Sequence, residues 1–177
     1  MAPAAGTIRF DRRRAMIPHY RTLLYATDLS AHSSGAFRHA ISLARAYDAV
    51  IHILHVMPAL DPAMENYLAA AMGEEVFTAL EEKNREELRQ TILNRLQSFA
   101  DDELKEHPED RDRVAGIEVH YGRPAVTILE TADRLDPDLI VCGTHSKGLL
   151  QHAFLGSVAE KVLRKSTRPV LIVPISD

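Results

Sequence analysis

The stretch Thr22-Leu23-Leu24-Tyr25-Ala26-Thr27-Asp28-Leu29-Ser30 decides how the rest of the chain is read. Its first six residues are mostly apolar and show little alternation. Such a run suits a strand buried on both faces, and hence a parallel sheet. Asp28 and Ser30 stop it. Ser30 or Ser33 can cap a following helix, in which Phe37, Ala40, Ile41, Ala44 and Tyr47 keep helical spacing.

The same alternation continues downstream. Val50 to Val56 reads as a second strand, ended by Met57-Pro58. Ala59 to Gly73 reads as a less regular stretch punctuated by Pro58, Pro62 and Gly73. Glu74 to Ala100 is a long helix. Phe77, Leu80, Leu88, Ile92, Leu96 and Phe99 are expected to be its buried stripe, and Glu81, Glu82, Arg85, Glu86 and Arg89 its solvated face. Asp101 to Arg113 reads as a polar connector. Gly116 to Tyr121 is a third strand, closed by Gly122-Arg123-Pro124, with Pro124 in the first turn of a helix and Val126, Leu129 and Ala132 as its apolar stripe. Leu139 to Cys142 is a fourth strand, followed by a loop from Gly143 to Leu155 in which Leu149 to Phe154 can form a helical turn. A helix opens at Gly156-Ser157 and ends near Lys165, and Pro169 to Pro174 is a fifth strand. Strands and helices alternating in this way predict an α/β fold: a parallel sheet, right-handed crossovers and helices on both faces.

The chain has 177 residues, enough for one domain with an extension. Its 21 basic and 25 acidic side chains leave a formal charge of −4, which gives no general attraction to nucleic acid or anionic lipid. No apolar run reaches the roughly 20 residues of a membrane span, and Met1 to Met16 hold no apolar core of a secretory signal. The single cysteine, Cys142, cannot form an internal disulfide, which points to a cytoplasmic protein. Residues 1–19, carrying Arg9, Arg12, Arg13 and Arg14, are expected to be a basic, flexible extension, and the domain is expected from 20 to 177.

In an open doubly wound sheet, ligands bind beyond the carboxyl ends of the strands, where strand order reverses. Two groups qualify. Asp28 follows strand one, and Gly143-Thr144-His145-Ser146-Lys147-Gly148 follows strand four and leads to the helix start at Gly156-Ser157. Free N–H groups at a helix start suit a phosphate. Ser157-Val158-Ala159-Glu160 is also a capping box, so an ordinary capped helix remains the alternative. Leu149-Leu150 stand where a P-loop needs Lys and a hydroxyl, and no G-x-G-x-x-G follows strand one; both familiar phosphate motifs fail.

Four blocks then carry a resemblance: Leu24 to Ser30, Ile53 to Val56, Asp138 to Ser146, and Leu155 to Leu163 with Arg168 to Val173. In this order they resemble the universal stress protein family, from about Tyr20 to Ile175. The resemblance implies a five-stranded parallel sheet of order 3-2-1-4-5 and a regulatory module of the stress response. It also implies ATP, ADP or AMP bound at the ends of strands one and four, with Mg²⁺ able to accompany ATP. The family motif G-x2-G-x9-G-[ST] is met by Gly143, Gly156 and Ser157, whereas Ser146 stands at its second glycine. By the same resemblance Asp28 meets the sugar and base end, Val56 the adenine, and Cys142 precedes the first motif glycine. With Val158 these residues form the expected nucleotide site. The departure at Ser146 keeps open an alternative, a dimeric stress-response protein working through protein contacts without nucleotide.

No enzyme is implied, beyond slow ATP hydrolysis, because no dedicated base or arginine finger is evident. The histidines add no catalytic set. His52 and His55 stand three apart on a strand and so face opposite ways, His145 and His152 lie in the loop, and no G-x-S-x-G elbow occurs. Val170 to Val173 is an apolar edge strand, and the resemblance makes it the seam of a homodimer.

Overall fold

A computed structural model describes residues 17–30, 33–144 and 155–174. Its elements, in chain order, are β1 (Thr22–Thr27), α1 (Ser33–Tyr47), β2 (Val50–Met57), α2 (Pro62–Met72), α3 (Glu74–Glu103), a 3₁₀ turn (Pro108–Arg113), β3 (Val114–Tyr121), α4 (Pro124–Leu135), β4 (Leu139–Gly143), α5 (Ser157–Lys165) and β5 (Val170–Val173). The five strands pair in the order β3-β2-β1-β4-β5, all parallel. The α/β class and strand order therefore match the sequence reading.

Strands β1, β2, β4 and β5 feed both faces of the sheet. Leu23, Tyr25, Ile51, Ile53 and Val141 pack with Phe37, Ala40 and Ala44 of α1 and Leu96 and Ala100 of α3. The alternate residues Leu24, Ala26, Leu54, Ile140 and Cys142 pack with Ala125, Ile128 and Ala132 of α4 and Ala159 and Val162 of α5. A strand apolar on both sides is what two covering helical layers require. Each fully buried Leu or Ile contributes about 1.5–3 kcal/mol.

Four local expectations need correction. Ala59 to Gly73 is mostly helix: Asp61 caps α2 by accepting from the Ala63 N–H (2.9 Å), and Pro62 occupies the first turn. Pro62 is thus a helix starter, since its missing N–H would have no partner there anyway. The buried side of α4 is Ala125, Ile128, Thr131 and Ala132, turned from the expected Val126-Leu129-Ala132 stripe. It follows a turn at Gly122, whose φ of +152° and 2.6 Å gap from a would-be Cβ to Thr127 Oγ1 exclude a side chain.

The third correction concerns α3. Only Leu96 and Ala100 are buried, while Leu80 and Leu88 stay about half exposed. In the first half of the helix the stripe turned inward is Phe77, Glu81, Arg85 and Arg89. Arg85 meets Glu81 (2.6 Å) and, across the hairpin, Glu65 of α2 (3.5 Å). Its guanidinium also lies 5.2 Å from the ring centroid of Tyr121, whose hydroxyl donates to the Arg85 carbonyl (2.9 Å).

The fourth lies in the connector, which holds a buried ion cluster. Asp110 is 2% exposed and accepts from Arg45 Nε (2.6 Å) and Arg113 Nε (3.2 Å). Arg113 also reaches Asp48 (2.9 Å), so α1 and the 3₁₀ turn are tied together. The hydrogen bond from Arg45 holds the Asp110 carboxyl below the usual carboxylate range.

An Asp110→Ala variant should unfold about 2–4 kcal/mol more easily in urea, because two guanidinium groups lose their shared partner. In the unfolded chain this carboxyl titrates near 3.9. The stability it adds is therefore complete above about pH 4 and is lost as the pH falls toward the lower folded value. Thermal melts of the wild type should drop more steeply below about pH 4 than those of Asp110→Asn.

Candidate functional site

Strand order reverses at β1, which pairs with β2 on one side and β4 on the other. Beyond the carboxyl ends of these strands lies a cleft of about 300 Å³. That volume is at the lower end of the range for small-molecule sites.

Its floor is apolar, because inward-facing strand residues alternate up to the strand ends. Ala26, Leu54, Val56 and Cys142 come from the sheet, Ile128 from α4 and Ala159 from α5. Burial pushes the Cys142 thiol up to about 11. The Tyr25 phenol, which donates to the Ser33 carbonyl (2.8 Å), is pushed up to about 12, again chiefly by burial.

The rim is polar. Asp28 is exposed at the end of β1. Its Oδ1 accepts from the Ser30 N–H (3.0 Å), and Thr27 Oγ1 accepts from the Leu29 N–H (3.1 Å). Leu29 takes a left-handed φ of 56°, a conformation that costs a leucine roughly 1 kcal/mol. From β2, His55 Nδ1 lies 2.9 Å from the Thr27 carbonyl. A carbonyl only accepts, so Nδ1 carries the proton, and the peptide leading into Asp28 is held. His55 thus makes a structural hydrogen bond at the edge of the site. α1 begins at Ser33, whose hydroxyl donates to the Ser30 carbonyl (2.8 Å).

Opposite the rim, two backbone bonds hold the start of α5. Thr144 N–H donates to the Val173 carbonyl (3.0 Å), and Gly156 N–H to the Thr144 carbonyl (2.5 Å). Gly156 is the N-cap residue and supplies no side-chain bond. Ser157 is already helical, so the capping-box alternative does not form: its hydroxyl stands one position too late to cap. The first bond within the helix runs from Glu160 N–H to the Gly156 carbonyl (2.9 Å). The N–H groups of Ser157, Val158 and Ala159 precede it, as at any helix start, and all three residues line the cleft.

The cleft thus brings together Asp28, Val56, Cys142, Gly143, Gly156, Ser157 and Val158. Ser146 lies outside the described residues, as do His145, Lys147, His152, the segment Leu149 to Phe154 and the basic residues Arg9 to Arg14. Reading by sequence missed Ser33, Ala36, Pro124 and Ile128 as lining residues. Strand parity relative to Cys142 could have added Leu54, but helix residues are placed only by packing.

A doubly wound parallel sheet with a cleft at its reversal point defines a Rossmann-like α/β protein. The model of the "Universal stress protein family" matches residues 19–174, and the chain belongs to that family. A universal stress protein of Methanocaldococcus jannaschii is 31% identical over 154 residues, covering 87% of this chain and 82% of that protein. Universal stress protein G of Salmonella typhimurium is 31% identical over 156 residues, 87% of this chain and 99% of that one. Among solved structures, a second M. jannaschii protein aligns with a TM-score of 0.63 at 26% identity, over 90% and 99% of the two chains. A universal stress protein solved in complex with cAMP aligns at 0.54 and 26%, over 90% and 100%.

The buried thiol supplies a direct check on the cleft floor. A pKa near 11 rather than the ordinary 8.5 leaves at least about a hundredfold less thiolate at pH 8. Labelling of Cys142 by a thiol-reactive disulfide reagent should be slower than in the urea-unfolded chain by at least that factor.

Proposed function

We propose that this universal stress protein binds an adenine nucleotide and acts as a regulatory module of the stress response rather than as an enzyme. One observation carries the reading. An apolar floor, an exposed carboxylate and a helix start with glycine as its cap residue face one another across a single cleft. A purine ring suits the floor, ribose hydroxyls suit the Asp28 carboxylate, and phosphate oxygens suit the amides of α5. Val56 stands beside the adenine in this arrangement and Cys142 beneath it. Gly143, Gly156, Ser157 and Val158 surround the phosphates, where Ser146 can add a hydroxyl. The cAMP complex of a family member supports the ligand class.

No Lys, Arg or His occurs among the described lining residues, so these offer phosphate no side-chain cation. That composition favours holding a nucleotide over transferring its phosphate. A reducing, cytoplasmic setting fits the single unbridged Cys142. Among the described residues, no helix is long and apolar enough to cross a membrane.

Calorimetric titration should give saturable binding of at least one of ATP with Mg²⁺, ADP, AMP or cAMP. Asp28→Ala should weaken it at least tenfold, since a ribose held by a charged acceptor loses about 1.5–3 kcal/mol. No heat with any of the four at millimolar concentration would sink the proposal and favour the nucleotide-free alternative.

A homodimer through β5 belongs to the same reading. Among the described residues this strand pairs with β4 alone, and Val170, Leu171 and Ile172 are half-buried. Its outer backbone groups and apolar side chains can be covered by a second copy. Light scattering at micromolar concentration should return about twice 19.7 kDa; a monomer mass would overturn the pairing.

A further inference from the structure

The carboxylate at the end of β1 depends on a residue that does not line the cleft. His55 is absent from the lining, and with Ile53 it stands on the α1 side of the sheet. Its Nδ1 lies 2.9 Å from the carbonyl of Thr27, which is also its register partner across β1 and β2. The peptide plane that holds this carbonyl also holds the N–H of Asp28. The imidazole therefore fixes the plane from which Asp28 departs.

The turn after Thr27 needs support from outside. Leu29 sits at a φ of 56°, a conformation that persists only where the surroundings over-determine it. The bonds of the turn itself are local. Leu29 N–H donates to Thr27 Oγ1, Ser30 N–H to Asp28 Oδ1, the Ser33 N–H and hydroxyl to the Ser30 carbonyl, and the Tyr25 hydroxyl to the Ser33 carbonyl. Such bonds keep the shape of a turn but not its place on the sheet. Among the described residues, the bond from His55 is the one side-chain bond that reaches this turn from another strand.

The position of His55 in β2 gives that bond a use. The next residue, Val56, lines the cleft. One strand thus carries both a wall of the cleft and the anchor of the carboxylate. A ligand gripped at two points gains affinity when their spacing is set in advance. We propose that His55 is a positioning residue for ligand recognition. It holds Asp28 at the spacing from Val56 that the ribose and base of a nucleotide require together. The ligand in this inference rests on the nucleotide reading above, while the hold on Asp28 rests on geometry alone.

The test titrates ATP with Mg²⁺, ADP, AMP and cAMP into full-length variants by calorimetry. His55→Ala should weaken binding about fivefold, the loss of one neutral hydrogen bond. His55→Asn should bind within about twofold of the wild type, because its amide nitrogen lies as many bonds from Cα as Nδ1 does and donates likewise. In an Asp28→Ala background, His55→Ala should cost no more than about twofold further, since no carboxylate is left to aim. Equal losses in both backgrounds would overturn the proposal, as would Ala and Asn variants that bind alike.

A measurement on the ligand-free protein separates this inference from the reading beneath it. In His55→Ala, the amides of Leu29 and Ser30 should exchange with deuterium about fivefold faster, with Ile140 of β4 unchanged. Equal acceleration at all three is a general loss of stability, and no acceleration at Leu29 and Ser30 means no hold on the turn; either result overturns the role of His55. If none of the four nucleotides binds the wild type, the nucleotide reading falls, and the exchange rates alone decide whether His55 holds Asp28.

Discussion

Two parallel strands cannot be joined by a tight turn, so every connection in this sheet must cross a face and return. The geometry here depends on that constraint. Four crossovers, all of one hand, carry the chain outward from β1 to β3 and then back past β1 to β4 and β5. At the reversal, the segments leaving β1 and β4 depart toward opposite faces and cannot fill the space between them. The cleft is thus a consequence of strand order, present before any side chain is chosen. Sequence decides only what lines it, and small residues such as Ala26, Gly143 and Ala159 keep it open.

Within that space the backbone does most of the positioning. Thr144 is tied by its N–H to β5 and by its carbonyl to Gly156, so the start of α5 is referenced to the sheet itself. On the other rim, His55 holds the Thr27 carbonyl, and the next turn forces Leu29 into a left-handed conformation. The strain at Leu29 is offset by packing, since its side chain reaches the core on the α1 side. Asp28 is consequently left exposed, with its Oδ1 steadied by the Ser30 N–H.

The strands were legible because each is a short apolar run of period-independent burial, and β1, β2, β4 and β5 fall within a residue or two of where the pattern puts them. The site was legible in part for the same reason: strand ends carry Asp28, Val56 and Gly143, and those ends are fixed once the strands are. Helix faces were harder. A shift of one position turns a helix by about 100°, and for α4 that moved the buried stripe onto Ile128, which lines the cleft. The start of α5 shows a different limit. Ser157 and Glu160 have the spacing of a capping box, but the Thr144–Gly156 bond sets the helix start one residue earlier than that box requires.

The hairpin inverts the most dependable rule of all, that apolar residues face inward. Hydrophobic periodicity reports which residues share a face, and it does so correctly for Leu80 and Leu88; it does not report what that face meets. Here the sheet ends before α3 does, so the first half of the helix has no apolar layer beneath it. What it meets is Tyr121 at the tip of β3 and Glu65 on α2, and an arginine satisfies both at once through its planar cation. Once Arg85 is committed inward, the apolar stripe is committed outward. Charge pairing at the sheet edge, rather than apolar packing, therefore sets which way this half of α3 faces.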